Sequence, residues 1–281
     1  MKTCQLIAPS RKISKKKLEQ AVKNLKALGF HAIYDKNILD RDCYHAGTVS
    51  RRVEEIHKAF QNKKVNFIFS VTGGYGCIEL LPFLNYDLIK SNAKPLVGYS
   101  DITGLLLGLF KKTKIPLIHS PMPGSKYFSL KNKYLKQLDD CLNGKKHAIR
   151  INSKNIVRKQ FFRGNIVGGN LRILISLIGT PYELDTNNKV LFLEDANERP
   201  AAIYNMLLHL ELSGKLKNIK ALILGKMNQC GKYKTLLMKF LKRLNVPIIC
   251  DLDLGHSQNM ISIRLGSKIT FDTENSCLIF N

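Results

Sequence analysis

Short apolar runs alternate with amphipathic stretches through the first half of the chain. The runs "CQLIAP", "FHAIY", "VNFIFSV", "PLVGY" and "PLIHS" read as strands. Between them, "SKKKLEQAVKNLKALGF" places Leu18, Ala21, Val22, Leu25 and Leu28 on one helical face, with Gly29 where a C-terminal cap belongs. "VSRRVEEIHKAFQN" does the same with Val49, Val53, Ile56 and Phe60, and "DITGLLLGLFKKT" reads as a third helix. The "VNFIFSV" run is apolar at almost every position, as a strand must be when helices cover both sheet faces. This alternation predicts an α/β fold with a parallel, doubly wound sheet. Ligands of such sheets sit beyond the C-terminal strand ends, where "TGGYG" and "GYSD" both fall.

The pattern changes near residue 145. "HAIRINSKNIVRKQFFRGNIVGGN" is broken into short alternating segments with the look of antiparallel strands. A mixed half follows, with strands at "KVLFLED", "IKALILGKM" and "VPIICDL" and helices at "RPAAIYNMLLHLELSG" and "KTLLMKFLKRLN". "NMISIRLGSKITFDTENSCLIF" reads as a hairpin-rich β tail. The expected division is an N-terminal α/β domain at 1–145 and a C-terminal α/β domain at 146–281, with 146–162 crossing between them.

Composition narrows the function. At 281 residues, 44% hydrophobic and 23% charged, the chain has the makings of a folded protein with a sizeable core. Its 45 Lys+Arg against 21 Asp+Glu give a net charge of +24, which favours anionic partners. The basic residues are spread along the chain, densest in "RKISKKK" at Arg11–Lys17, and no nucleic-acid-binding module is recognisable. No nucleic-acid partner is therefore expected, and the lysines read as a solvated face. No run approaches the ~20 apolar residues of a membrane span, and "MKTCQLIAPSRKISKKK" lacks the order of a secretory leader. The seven cysteines are widely spaced and contain no CxxC pair, so no disulfide framework or zinc site is indicated, and a reducing cytoplasm is expected.

The candidate chemistry begins at "KPLVGYSDITGLL". A strand, Gly98, Tyr99, Ser100 and a helix start reproduce the layout of a nucleophile elbow, although Ile102 stands where a second glycine is usual. Ser100 is equally suited to capping the helix, as is Asp101. A serine nucleophile requires a base and the base an orienting acid. Among the histidines, His256 in "DLDLGHSQN" and His119 in "PLIHSP" lie at strand ends; Glu194 and Asp195 end "KVLFLED". There is no HExxH or Walker A pattern, and "GGYG" has neither dinucleotide nor triphosphate spacing, so neither cofactor nor metal is expected.

Taken in order, these segments resemble the serine LD-carboxypeptidases, the murein tetrapeptide carboxypeptidases. The resemblance runs through "IAPS" at 7–10, "AGT" at 46–48, "TGGYGCIELLPFL" at 72–84, "LVGYSDIT" at 96–103 and "HSPM" at 119–122. It continues through "GNIVGGNLRIL" at 164–174, "GTPYELD" at 179–185, "VLFLEDANERP" at 190–200 and "GHSQNMISIRLG" at 255–266. It implies a catalytic triad of Ser100, Glu194 and His256, an oxyanion hole from the backbone N–H groups of Asp101 and Gly74, and substrate contacts at Gly73 and Tyr75. It further implies a flavodoxin- or Rossmann-like parallel-sheet domain followed by a mixed α/β domain with a small β-barrel-like sheet, and a homodimer. The implied reaction removes the terminal D-alanine from cytoplasmic murein tetrapeptides through an acyl-enzyme, in peptidoglycan recycling. Where the family often has "RGGYG", this chain has Thr72, which leaves the group that binds the terminal carboxylate open. Two readings compete: a microcin-immunity hydrolase of acyl-adenylate-like toxins, and a non-catalytic binding module on the same fold. The chain has no tryptophan to stack on a nucleobase.

Overall fold

The computed structural model describes residues 2–281. The first half contains β1 (Lys2–Ile7), α1 (Lys15–Ala27), β2 (Phe30–Tyr34), α2 (Val49–Gln61), β3 (Phe67–Ser70), α3 (Tyr86–Ser91), β4 (Leu96–Gly98), α4 (Ile102–Lys112), β5 (Leu117–His119) and α5 (Lys136–Leu142). The remainder contains β6 (His147–Arg150), β7 (Ile156–Arg158), β8 (Phe162–Asn170), α6 (Leu171–Ser176), β9 (Lys189–Ala196), α7 (Pro200–Leu212), β10 (Ala221–Asn228), α8 (Lys234–Leu241), β11 (Ile248–Leu252), β12 (Ile263–Arg264), β13 (Lys268–Asp272) and β14 (Cys277–Phe280).

Two sheets organise the molecule. The first runs β12-β5-β4-β3-β1-β2, with β1 to β5 all parallel, the strand order of flavodoxin-like folds. The second runs β6-β14-β13-β8-β9-β10-β11-β7 and curls into a half-barrel around a parallel core of β8 to β11. The chain is thus α/β in both halves, with a barrel-like second sheet, as its alternation and resemblance imply.

The β tail does more than form hairpins. β13 and β14 pair as expected, but β12 returns to the first sheet and lies antiparallel to β5. The segment 146–162 supplies β6 and β7, which close opposite edges of the second sheet. The antiparallel reading of this region holds for β6, β7 and the pairing of β8 with β13, and is incomplete only at β8, whose other edge is parallel to β9. A nine-residue strand that ends in Gly168-Gly169-Asn170 looks irregular in sequence because its glycines serve close packing.

α4 joins the two halves. Every residue from Ile102 to Leu109 is buried, and one continuous apolar cluster includes its leucines, Val167 of β8 and Phe192 of β9. Gly169 allows this approach, since a Cβ there would fall 2.6 Å from Thr103 Cγ2. The Thr103 hydroxyl then accepts the Asn170 N–H at 3.2 Å. At Gly168 (φ +139°) a Cβ would fall 1.8 Å from the Phe192 carbonyl oxygen on the paired strand.

Gly168→Ala is therefore expected to cost about 3 kcal/mol or more of stability in urea unfolding. A loss below about 0.5 kcal/mol would contradict this packing account.

Candidate active site

Loops after β1, β3, β4 and β5 gather at the C-terminal edge of the first sheet and face the ends of β8 and β9 and the loop after β11. Together they line a cleft of ≈ 510 Å³ containing Ser100, Asp101, Gly73, Gly74, Tyr75, Asn170, Asp195 and His256. A larger cavity, ≈ 770 Å³, lies around Phe110, His147 and Arg264. It contains none of the sequence-derived catalytic candidates, and several of its residues precede β5 and β9 rather than follow them. Ser100 and His256 both line the smaller cleft.

The turn at Ser100 has the conformation of an elbow. Ser100 is at φ 61°, in the left-handed region that a non-glycine residue rarely occupies, and its side chain is partly exposed. Neither Ser100 nor Asp101 caps α4 with its side chain, so the capping reading of this serine is not what the geometry supports. Asp101 is buried and accepts hydrogen bonds from the Ser10 hydroxyl at 2.6 Å and the Cys77 N–H at 3.2 Å. It ties together the three loops on which the turn rests. The bulky Ile102 is tolerated because Gly98 offers it space: a Cβ at Gly98 would fall 2.5 Å from Ile102 Cγ2.

The glycine loop lies directly against the serine. A Cβ at Gly73 would fall 3.2 Å from Ser100 Oγ and 3.5 Å from the Asp101 nitrogen. Gly74, at φ +149°, faces instead the side chain of Arg11. Gly73 and the Asp101 N–H are thus held beside one hydroxyl. Tyr75 stands exposed at the cleft rim.

Glu194 lies near the C-terminal end of β9 with no exposed surface, and its Oε2 lies 2.8 Å from His256 Nδ1. Burial acts to raise its pKa, but the adjacent His256 charge and hydrogen bond outweigh that and hold the carboxyl below its ordinary range. For His256, burial disfavours the cation, while Glu194 more than compensates and holds the imidazole pKa above its ordinary value. The edges of Tyr99 and Tyr127 flank the ring, with centroids 5.0 and 5.5 Å away. Gly255 (φ +70°) makes this contact feasible, because a Cβ there would fall 1.8 Å from Glu194 Oε2. With Nδ1 engaged, Nε2 is the nitrogen left for proton transfer. Among the described residues no hydrogen bond joins the Ser100 hydroxyl to His256; both line the same cleft, and such bonds commonly tighten only when substrate is bound.

The other sequence candidates separate cleanly. His119 is fully buried, with both ring nitrogens lacking a hydrogen-bond partner among the described residues, and burial pushes its pKa down to about 4. It packs against Tyr99 and Phe192 as a neutral core group. Asp195 accepts from the Arg172 and Ala196 N–H groups and from Asn170, and burial pushes it up to about 6. Sequence reasoning missed Asn170, whose amide donates to both acids, at 3.4 Å to Glu194 and 3.1 Å to Asp195. It also missed Arg11 and Lys17, which line the cleft from the run read as a solvated face. Nothing in the run itself separates these two from Lys15 and Lys16, which do not line the cleft.

Residues 4–120 match the family model of the LD-carboxypeptidase N-terminal domain, and residues 163–271 that of the LD-carboxypeptidase C-terminal domain. The murein tetrapeptide carboxypeptidase of Pseudomonas aeruginosa is 28% identical, over 89% of this chain and 87% of its own. The microcin self-immunity protein MccF of Escherichia coli is also 28% identical, over 95% of this chain and 89% of its own. A solved muramoyltetrapeptide carboxypeptidase from Oxalobacter formigenes shares the fold with a TM-score of 0.87 at 24% identity, covering 99% of this chain and 97% of that one.

Replacing Gly255 by alanine should separate the acid from the ring. The strongly downfield proton resonance of the His256–Glu194 bond is expected to vanish in Gly255→Ala. It should persist in Gly29→Ala, a left-handed glycine (φ +81°) with open space around it. Persistence in Gly255→Ala would show that the close approach does not matter.

Proposed function

The chain belongs to the LD-carboxypeptidase family, and from that premise we propose that it removes the terminal D-alanine from murein tetrapeptides by serine acyl transfer. The observation that carries this reading is the pairing of a fully buried Glu194 with His256 in the cleft that also holds Ser100 on a left-handed turn. In this reading residues 1–145 bring the nucleophile, and residues 146–281 bring the acid and base.

His256 Nε2 takes the Ser100 proton as the hydroxyl attacks the carbonyl of the last peptide bond. Glu194 fixes the ring through Nδ1 and stabilises the imidazolium that forms. The oxyanion that develops meets the N–H groups of Asp101 and Gly74, beside the start of α4, and donors placed in advance at such a position supply a large share of the rate. Gly73 keeps the peptide next to the serine because a side chain there would crowd it, and Tyr75 contacts the substrate at the rim. The imidazolium then gives its proton to the departing amine, and water, activated by the same base, hydrolyses the acyl-enzyme. The donor set needs neither metal nor cofactor for these steps.

Substrate and setting follow from the same reading. Murein peptides carry several carboxylates, which suits a chain of net charge +24. All seven cysteines are free, which suits the cytoplasm, where murein fragments are recycled. No helix among the described residues is long and apolar enough to cross a membrane. A homodimer is the proposed assembly, and no nucleic acid is involved. MccF is as similar in sequence as the carboxypeptidase relative, so the test includes its class of substrate.

Incubation with disaccharide-tetrapeptide should release one alanine by mass spectrometry, and Ser100→Ala should abolish the release. An aminoacyl-sulfamoyl adenosine should remain intact. Absence of alanine release, or its survival in the variant, would overturn the reading, and cleavage of the nucleotide alone would favour the immunity-type hydrolase.

The base must be neutral to act, and its folded-state pKa is raised. Activity, as kcat/KM, should therefore fall on acidification with a midpoint above the ordinary histidine value of about 6.5. Glu194→Gln should lower that midpoint and reduce kcat by at least about 100-fold. An unmoved midpoint would remove Glu194 from the triad.

A further inference from the structure

The cleft is electrically lopsided. Of its acids, Asp101 is buried beneath the Ser100 turn and bonded to Ser10 and Cys77, while Asp195 and Glu198 lie on the wall formed by the end of β9, where Glu198 accepts two bonds from the Arg172 guanidinium at 2.8 and 2.6 Å. Arg172 is thereby neutralised. Across the cleft stand Arg11, Lys17 and Lys126. Lys126 lies over the Tyr127 ring, 5.0 Å from its centroid.

Arg11 and Lys17 are different. Among the described residues neither head group makes an ion pair or a hydrogen bond. Arg11 is exposed and Lys17 half-buried, but the stems of both pack against the cleft wall. The Arg11 stem lies over Gly74, where a Cβ would fall 2.9 Å from Arg11 Cδ, and Lys17 Cγ lies 3.2 Å from the Cβ position of Gly124. Ser10, the neighbour of Arg11, is bonded to Asp101, the neighbour of Ser100. The two cations are close enough to interact: burial and then the Arg11 charge lower the Lys17 pKa, and Arg11 also lowers that of the Tyr99 hydroxyl against the stronger effect of burial. Two like charges share a cleft wall and neither is paired with a carboxylate among the described residues, an arrangement that an arriving anion would relieve.

The position of the anion follows from the chemistry. In acyl transfer the imidazolium protonates the departing amine, so the departing residue lies on the His256 side of the scissile bond. That side is bounded by Tyr99 and Tyr127, which flank the ring, and by Ser125, whose hydroxyl lies 2.7 Å from the Tyr99 hydroxyl. Arg11, over Gly74, and Lys17, against Gly124, line the same cleft as Tyr99, Ser125, Tyr127 and His256.

We propose that Arg11 and Lys17 bind the α-carboxylate of the departing residue and so confine cleavage to the last peptide bond. This rests on the carboxypeptidase reading and names what makes it exo-acting. A guanidinium grips one face of the carboxylate through paired N–H groups, and the Lys17 ammonium adds a second charge. Thr72, buried at the foot of the glycine loop, offers no charge for the task.

The test compares a tetrapeptide ending in free D-alanine with the same peptide ending in its amide. Wild type should prefer the acid, and the Arg11→Gln/Lys17→Gln double variant should lose roughly 10- to 100-fold in kcat/KM on the acid. Its kcat/KM on the amide should change less than about twofold, which also shows that the variant is folded. Arg11→Lys should keep part of the preference. Equal losses on both peptides, or an unchanged acid-to-amide ratio, would overturn the assignment. Calorimetry with Ser100→Ala as the host separates this from the activity itself. If wild type cleaves neither peptide, the functional reading fails, while tighter binding of the acid that the double variant erases still establishes the carboxylate site. Equal binding of acid and amide, or of neither, removes it.

Discussion

A carboxylate with no contact to water is costly unless a cation and hydrogen bonds stand beside it, and Glu194 is in that position. His256 supplies an N–H donor that becomes a cation on protonation and Asn170 an amide, while Gly255 supplies the space, since any side chain there would occupy the carboxylate's place. The same contact keeps the imidazole's other nitrogen free. Much of the second half is arranged around this need: the glycines of β8 let Asn170 reach the acid, and β9 delivers the acid at its end. Removing His256 would leave the Glu194 charge in the interior without its main partner. The arrangement therefore couples the stability of this region to the chemistry proposed for it.

The first half contributes a complementary constraint. Ser100 must hold a left-handed backbone, and three loops are locked to Asp101 to maintain it. α4, buried along most of its length between the sheets, transmits that turn to the second half. The cleft is consequently a seam within one continuous core rather than a gap between independent bodies, and β12, which returns from the C-terminal half to pair with β5, reinforces it. The uneven charge of the cleft walls then distinguishes the two ends of a bound peptide.

Much of this was legible in the sequence because periodicity and strand-end position are local signals. The β1 to β5 alternation gave the first sheet, and "GYSD", "FLED" and "LGH" marked strand ends where a site would lie. Three features were not legible. β12 is two residues long, and its pairing with β5 is set by tertiary context. Whether Ser100 capped a helix depended on a backbone angle and on where the Asp101 side chain points. Arg11 and Lys17 belong to a run whose charge is ordinary for a solvated face, and only the fold shows that these two, unlike their neighbours Lys15 and Lys16, line the cleft.

The central claim is that buried Glu194 makes His256 the base at Ser100. Nitrogen-detected NMR of the intact protein, titrated through neutral pH, tests it most directly. The account predicts that the neutral His256 ring carries its proton on Nδ1, leaves Nε2 bare, and titrates above the ordinary histidine value, with Glu194→Gln lowering that midpoint. A neutral ring protonated on Nε2, or a midpoint indifferent to Glu194→Gln, would contradict it.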